Sequence, residues 1–201
     1  GGSVMTSEEI STKEKILKTA YKLFAKKGLN GVGIREIATQ ADVNVAAINY
    51  HFGNKTALYD QTVGHCMSLL RTHLEEGAKK IDSSSMLALY FYDHLIEDHE
   101  GLITSFKLFL DTNTRLESVC AEDKPIGPPG GEFLFSCMKN EYTKASEVDL
   151  GWAVRTIFTQ VIHTALLVSL HEKDVCSNTG LTKADIRSQL TRTINVILKE
   201  L

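Results

Sequence analysis

Residues 34–55 read IREIATQADVNVAAINYHFGNK, and the spacing of their apolar positions decides the fold. Ile34, Ile37, Ala38 and Ala41 fall at i, i+3, i+4 and i+7, the stripe of a short helix. Asp42-Val43 interrupts that period. Asn44 carries the short polar side chain that caps a helix start. The helix it opens runs through His51, with Val45, Ile48 and Phe52 on its apolar side. Two short helices about three residues apart make a helix-turn-helix.

The stretch resembles the DNA-reading part of the TetR family of bacterial transcriptional regulators. Arg35-Glu36-Ile37-Ala38, the Asn44 cap and Ile48-Asn49-Tyr50-His51-Phe52 carry the resemblance, followed by Gly53-Asn54-Lys55 ahead of a new helix at Ala57-Leu58-Tyr59. It implies an all-α protein with a three-helix DNA-binding domain over 1–53 (motif about 33–52) and a helical ligand-binding and dimerisation domain over 54–201. The turn departs from the family pattern, because Ala41-Asp42 stands where glycine is usual. Aspartate enters the left-handed region more readily than most residues, so the turn is expected to survive with slight strain.

Upstream, a helix is expected to open at Thr12, with Ile16, Leu17, Ala20, Leu23 and Phe24 on one face and Gly28 as its terminator. Lys15, Lys18, Lys22 and Lys26 line the opposite face. They read first as a solvated side, with a weak electrostatic pull on DNA as the functional alternative.

The composition of the 201 residues, 43% hydrophobic and 23% charged, is that of an ordinary globular chain. The net charge of −3 argues against nucleic acid, but its distribution along the chain points the other way. Residues 1–55 hold eight basic and five acidic residues, a balance of +3, and the remaining 14 basic and 20 acidic residues leave −6. A basic head on an acidic body suits a protein whose head alone meets phosphates. No unbroken run of 18 apolar residues occurs, and a cytoplasmic location without a membrane span is expected. Cys66, Cys120, Cys137 and Cys176 form no C-x-x-C pair and read as free thiols.

Beyond Phe52 the periodicity gives helices over about 54–79, 86–97, 101–119, 133–144, 149–172 and 182–201, with neither a period-2 strand nor a repeat. Pro125-Ile126-Gly127-Pro128-Pro129-Gly130-Gly131 cannot be helical and reads as a loop within one core, or alternatively as a domain linker. The helix at 149–172 is apolar almost all round, which calls for burial on more than one side. Arg155, Gln160 and His163 interrupt it too often for a membrane span. The resemblance implies that this helix and the last one pair with their symmetry mates, giving a homodimer.

For DNA, the resemblance implies that the second helix of the motif enters the major groove, with Asn44, Val45, Ala46, Ala47, Asn49, Tyr50 and His51 as its face. Where Val45 stands, many relatives carry a cation, so a charged base reader is missing. Val45, Ala46 and Ala47 offer apolar contact only, for instance to thymine methyls, and Asn49 could read adenine. Tyr50, His51 and Lys55 suit phosphate, and Arg35 could reach phosphate or base. Phe52 reads as core.

For a small-molecule effector, expected to be apolar or aromatic, the candidate lining is Tyr90, His94, Phe106, Phe109, Leu110, Met138, Trp152, Arg155, Phe158 and His163. Such stripes are more often plain core. Arg155, set among aromatic residues, calls for an anionic ligand or an acidic partner. His94 with Asp98 and His99, and His65 with Cys66 and His73, could each begin a metal site, although ordinary histidines are the expected reading. No cofactor, metal ion or catalytic residue is expected, since no nucleophile–base pair or phosphate loop appears. Two classes remain: a ligand-responsive regulator, most simply a repressor released from an inverted-repeat operator, and an adaptor of the same fold without ligand control.

Overall fold

A computed structural model describes residues 7–110 and 128–201, with side chains left undescribed at 7–10, 109 and 172–179. The helices, in chain order, are α1 (Ser7–Lys27), α2 (Ile34–Ala41), α3 (Val45–Phe52), α4 (Lys55–Ala78), α5 (Ser84–Glu97), α6 (His99–Phe109), α7 (Gly131–Glu141), α8 (Glu147–Thr179) and α9 (Lys183–Lys199). No strand occurs among the described residues.

Sequence signals set most of these boundaries. Ser83 Oγ accepts from Met86 N–H at the start of α5. Thr182 and Asp185 cap each other's backbone in a capping box that opens α9. Gly28 ends α1 with φ +67. The start of α1 departs from expectation: it forms at Ser7, five residues before Thr12. Nothing in the sequence between Ser7 and Thr12 breaks a helix. The expected helix over 101–119 is seen as α6, and its stretch beyond 110 lies outside the described residues, as do residues 125–127 of the loop. The loop ends at Gly130, whose φ of +82 admits no ordinary side chain. A Cβ there would also stand 2.7 Å from Leu74 Cδ1.

The chain packs as two compact units, one of residues 1–67 with 104–122 and the other of 68–103 with 123–201. In the first, Ile16, Ala20, Leu23 and Phe24 of α1 meet Ile37, Ala38 and Ala41 of α2 and Ile48 and Phe52 of α3. Leu58, Tyr59 and Val63 from the first half of α4 and Leu108 from α6 complete that core. Tyr59 is wholly buried and meets Phe24 edge to face with centroids 5.1 Å apart, and each such ring is worth about 1.5–3 kcal/mol of burial. Tyr21 Oη and Ser105 Oγ share a hydrogen bond of 3.0 Å within the same unit.

In the second unit α8 packs on α5, α7 and α9. Its inward side is Leu150, Ala153, Val154, Ile157, Phe158, Val161, Ala165 and Val168. By length and composition Glu147–His171 could cross a membrane, despite its polar interruptions. Here that inward side is core. The regular helix breaks at His171, with φ −132 and ψ 30, close to where the sequence ends it. Arg187 grips Asp93 with two parallel bonds of 2.7 and 2.6 Å, joining α9 to α5.

Candidate nucleic-acid interface

The interface is built on the turn between α2 and α3. Asp42 takes φ 52 and ψ 53, the left-handed conformation that the missing glycine demands. In return Val43 N–H reaches Ala38 O at 3.0 Å and closes the end of α2. The Asp42 carboxylate is almost fully exposed, 3.5 Å from Lys15 Nζ, and such a surface pair is worth under about 1 kcal/mol.

Asn44 then starts α3, its Oδ1 accepting from Ala47 N–H at 2.7 Å. That oxygen is spent on the cap, so only the amide NH₂ remains to meet DNA. Ile48 and Phe52 are buried and fix the roll of α3 on the head. With those two inward, Ala46, Asn49 and Tyr50 stand exposed, while Val45, Ala47 and His51 are half-buried. Val45 also packs against the core of the head, so it offers DNA less than the resemblance implies. Tyr50 is 72% exposed, a large ring held in water at the centre of the outward arc. Arg35, in the first turn of α2, is exposed as well. The face offers small apolar contacts, the whole amide of Asn49, the NH₂ of Asn44 and one phenol, the chemistry that meets thymine methyls, adenine edges and phosphates.

Lys55 is placed differently from a free phosphate contact. Its Nζ donates to Leu29 O at 3.0 Å and Val32 O at 3.1 Å, tying the start of α4 to the segment between α1 and α2. Of its three N–H donors one is left for a phosphate. Nothing in the sequence pointed to this tie, because both acceptors are backbone oxygens.

The lysine row of α1 divides. Lys15 leans toward Asp42. Lys18 and Lys22, with Thr19 and Gln40, line a cleft of about 270 Å³ between α1 and α2. Glu36 and Gln40 share one flank of α2, and at 100° per residue Arg35 and Thr39 share the other. The lysine cleft therefore does not extend the Arg35 face.

The ten residues expected to line an effector site are not brought together as one lining. Met138 and Phe158 are core, with Phe158 against Phe91 at 5.3 Å, and Tyr90 and His94 are half-buried at the edge of that core. Trp152, Arg155 and His163 point out from α8, and Trp152 is 63% exposed. The Arg155 guanidinium lies over the Trp152 ring at 5.5 Å, an exposed position that demands no buried counter-charge. Phe106, half-buried, and Leu110, exposed, belong to the first unit, and the Phe109 side chain is outside the described residues.

Among the described residues no three His, Cys, Asp or Glu side chains gather to hold a metal ion. Burial raises the Cys66 thiol above its ordinary pKa, offset in part by its hydrogen bond with Ser105.

Comparison with known proteins follows the same division of head and body. Residues 16–62 match the family described as "Bacterial regulatory proteins, tetR family". The chain is 42% identical over 77 residues to the "Probable HTH-type transcriptional regulator YttP" of Bacillus subtilis, which covers 38% of this chain and 37% of that protein. It is 33% identical over 95 residues to the "Biofilm operon icaADBC HTH-type negative transcriptional regulator IcaR" of Staphylococcus aureus, covering 47% of this chain and 51% of that one. The matched stretches thus span about half or less of those relatives. Over 94% of this chain and 98% of the other, the fold is that of the regulator FadR from Bacillus subtilis, solved with stearoyl-CoA, at a TM-score of 0.62 and 16% identity. With its turn and its capped second helix, the head at residues 16–62 is the DNA-binding domain of the tetR family of bacterial regulatory proteins.

Proposed function

We propose that the protein is a cytoplasmic transcriptional regulator that binds an inverted-repeat DNA site as a homodimer and represses until a small molecule releases it. The observation that carries the DNA-binding reading is the outward arc of α3. A buried Ile48–Phe52 pair and an Asn44 cap hold Ala46, Asn49 and Tyr50 on one exposed face.

The dimer is supported by α8 and α9. Val148, Trp152, Leu167 and Leu170 of α8 are 69%, 63%, 39% and 54% exposed on an outward side that also carries Arg155, Thr156, Thr159 and His163, and Val196 of α9 is 63% exposed. Large apolar side chains exposed at both ends of that side suit an interaction surface, and a two-fold DNA site calls for a two-fold protein. Leu190, Ile194 and Leu198 do not serve this surface. They are buried in the protomer's own core. Repression agrees with the description of IcaR as a negative regulator. A ligand-binding body agrees with the stearoyl-CoA complex of FadR.

The test is fluorescence anisotropy of duplexes from the region upstream of the protein's own gene, with a scrambled duplex as control, together with light scattering of the free protein. Specific binding by a dimer supports the proposal. Equal affinity for both duplexes, or a monomer at micromolar concentration, contradicts it and favours an adaptor role.

A further inference from the structure

Within the second unit α4 and α5 pass so closely that a Cβ on Gly77 would stand 2.6 Å from the Tyr90 ring. One turn before Gly77 stands His73, and one turn after Tyr90 stands His94. Their imidazole rings stack, with centroids 3.5 Å apart and planes 30° from parallel. Both side chains are half-buried. Neutral rings in that arrangement make an ordinary aromatic contact. Two imidazolium ions would instead face each other with no room for water between them.

The charged and titratable groups acting on His94 are His73 and Glu76 from α4, Glu97 from α5 and Asp98 at its C-terminal cap. Burial, and after it His73, hold His94 below the ordinary histidine pKa, outweighing the lift from Asp98, Glu97 and Glu76. A histidine whose folded pKa is lowered binds fewer protons folded than unfolded. Its contribution to stability is complete above its unfolded value, about 6.5, and drains away as pH falls below it.

We propose that the His73–His94 stack is a proton-operated latch between α4 and α5, closed while His94 is neutral and opened when His94 takes up a proton against the ring stacked on it. The latch acts on a helix with two duties. The second half of α4 carries His73, and the first half supplies Leu58, Tyr59 and Val63 to the core of the DNA-binding head. Resting on the DNA-binding function proposed above, acidification loosens α4 and weakens operator binding.

The test compares wild type with His73→Phe, which keeps a stacked ring and removes one proton site, and with His73→Gln in case the larger ring disturbs packing. Thermal melting, the titration of His94 by NMR and anisotropy with operator DNA are each followed from about pH 7.5 to about pH 5.5, the range in which histidine changes charge. The wild type is expected to lose melting temperature across this range and DNA affinity by about tenfold, the linkage of one proton over one pH unit. The variants should lose less than about a third of that, and their His94 should titrate closer to its ordinary value. An identical pH response in wild type and both variants overturns the latch. A wild type that binds no DNA at either pH overturns the DNA-binding reading instead, and the melting and NMR results then decide the latch alone.

Discussion

Replacing Lys55 by methionine separates the two roles that its ammonium could hold. The methionine keeps most of the aliphatic stem and removes only the charge and its donors. In the free protein Lys55 Nζ makes two bonds to backbone oxygens, at 3.0 and 3.1 Å, from a half-buried position. A hydrogen bond from a charged donor is worth about 1.5–3 kcal/mol when it is well shielded. Leu29 O and Val32 O lie in a segment between helices where water can replace the lost donor. The expected loss is therefore about 1–2 kcal/mol for the pair together, or about 2–8 °C in melting temperature for a chain of this size. If the third N–H meets a phosphate, the slope of log affinity against log salt also falls by about 0.9. Scanning calorimetry without DNA reads the first effect, and anisotropy at several salt concentrations reads the second. A Lys55→Met protein that melts with the wild type would refute the tie to the α1–α2 segment.

Three further outcomes follow from particular backbone and surface positions. Asp42→Val puts a β-branched residue at φ 52 and should cost about 1–2 kcal/mol by chemical denaturation. Asp42→Gly should stay within about 0.5 kcal/mol of wild type, because relief of strain offsets added chain entropy and a lost surface ion pair. Gly130→Ala must hold φ +82 and press on Leu74, and should cost about 2–4 kcal/mol, read as a lower midpoint in urea. Leu170→Asp changes a residue 54% exposed in the protomer. It should leave the protomer folded by circular dichroism yet shift the mass seen by light scattering toward the monomer, as expected for a charge placed in an apolar interface.

The helical plan was legible because each helix carries its own period and most carry their own punctuation. Asn44 and Gly28 both act where the sequence puts them. The left-handed turn at Asp42 was legible for the same reason, since a missing glycine leaves its conformational demand to the next residue. What stayed hidden depends on partners distant in sequence. Lys55 reads as a phosphate ligand until the carbonyls of Leu29 and Val32 are seen beside it. His73 and His94 lie 21 positions apart, and only the close passage at Gly77 brings their rings together. Arg155 looked like a charge in need of a buried partner, because Trp152 and Phe158 are its neighbours in sequence. On the helix those two residues face opposite ways, Trp152 into solvent and Phe158 into the core.

If the exposed arc of α3 reads DNA, a charge placed on it by Ala46→Asp must weaken operator binding. Ala46 is exposed and lies one turn before Tyr50, so an aspartate there disturbs no packing and faces whatever the arc meets. A carboxylate set against the phosphate-lined groove repels it, at a cost of several kcal/mol where like charges are brought together. Ala46→Asp is expected to leave the melting curve unchanged and to lower operator affinity at least about 100-fold, which corresponds to about 2.7 kcal/mol. Operator affinity equal to that of the wild type would contradict a DNA-reading role for the arc.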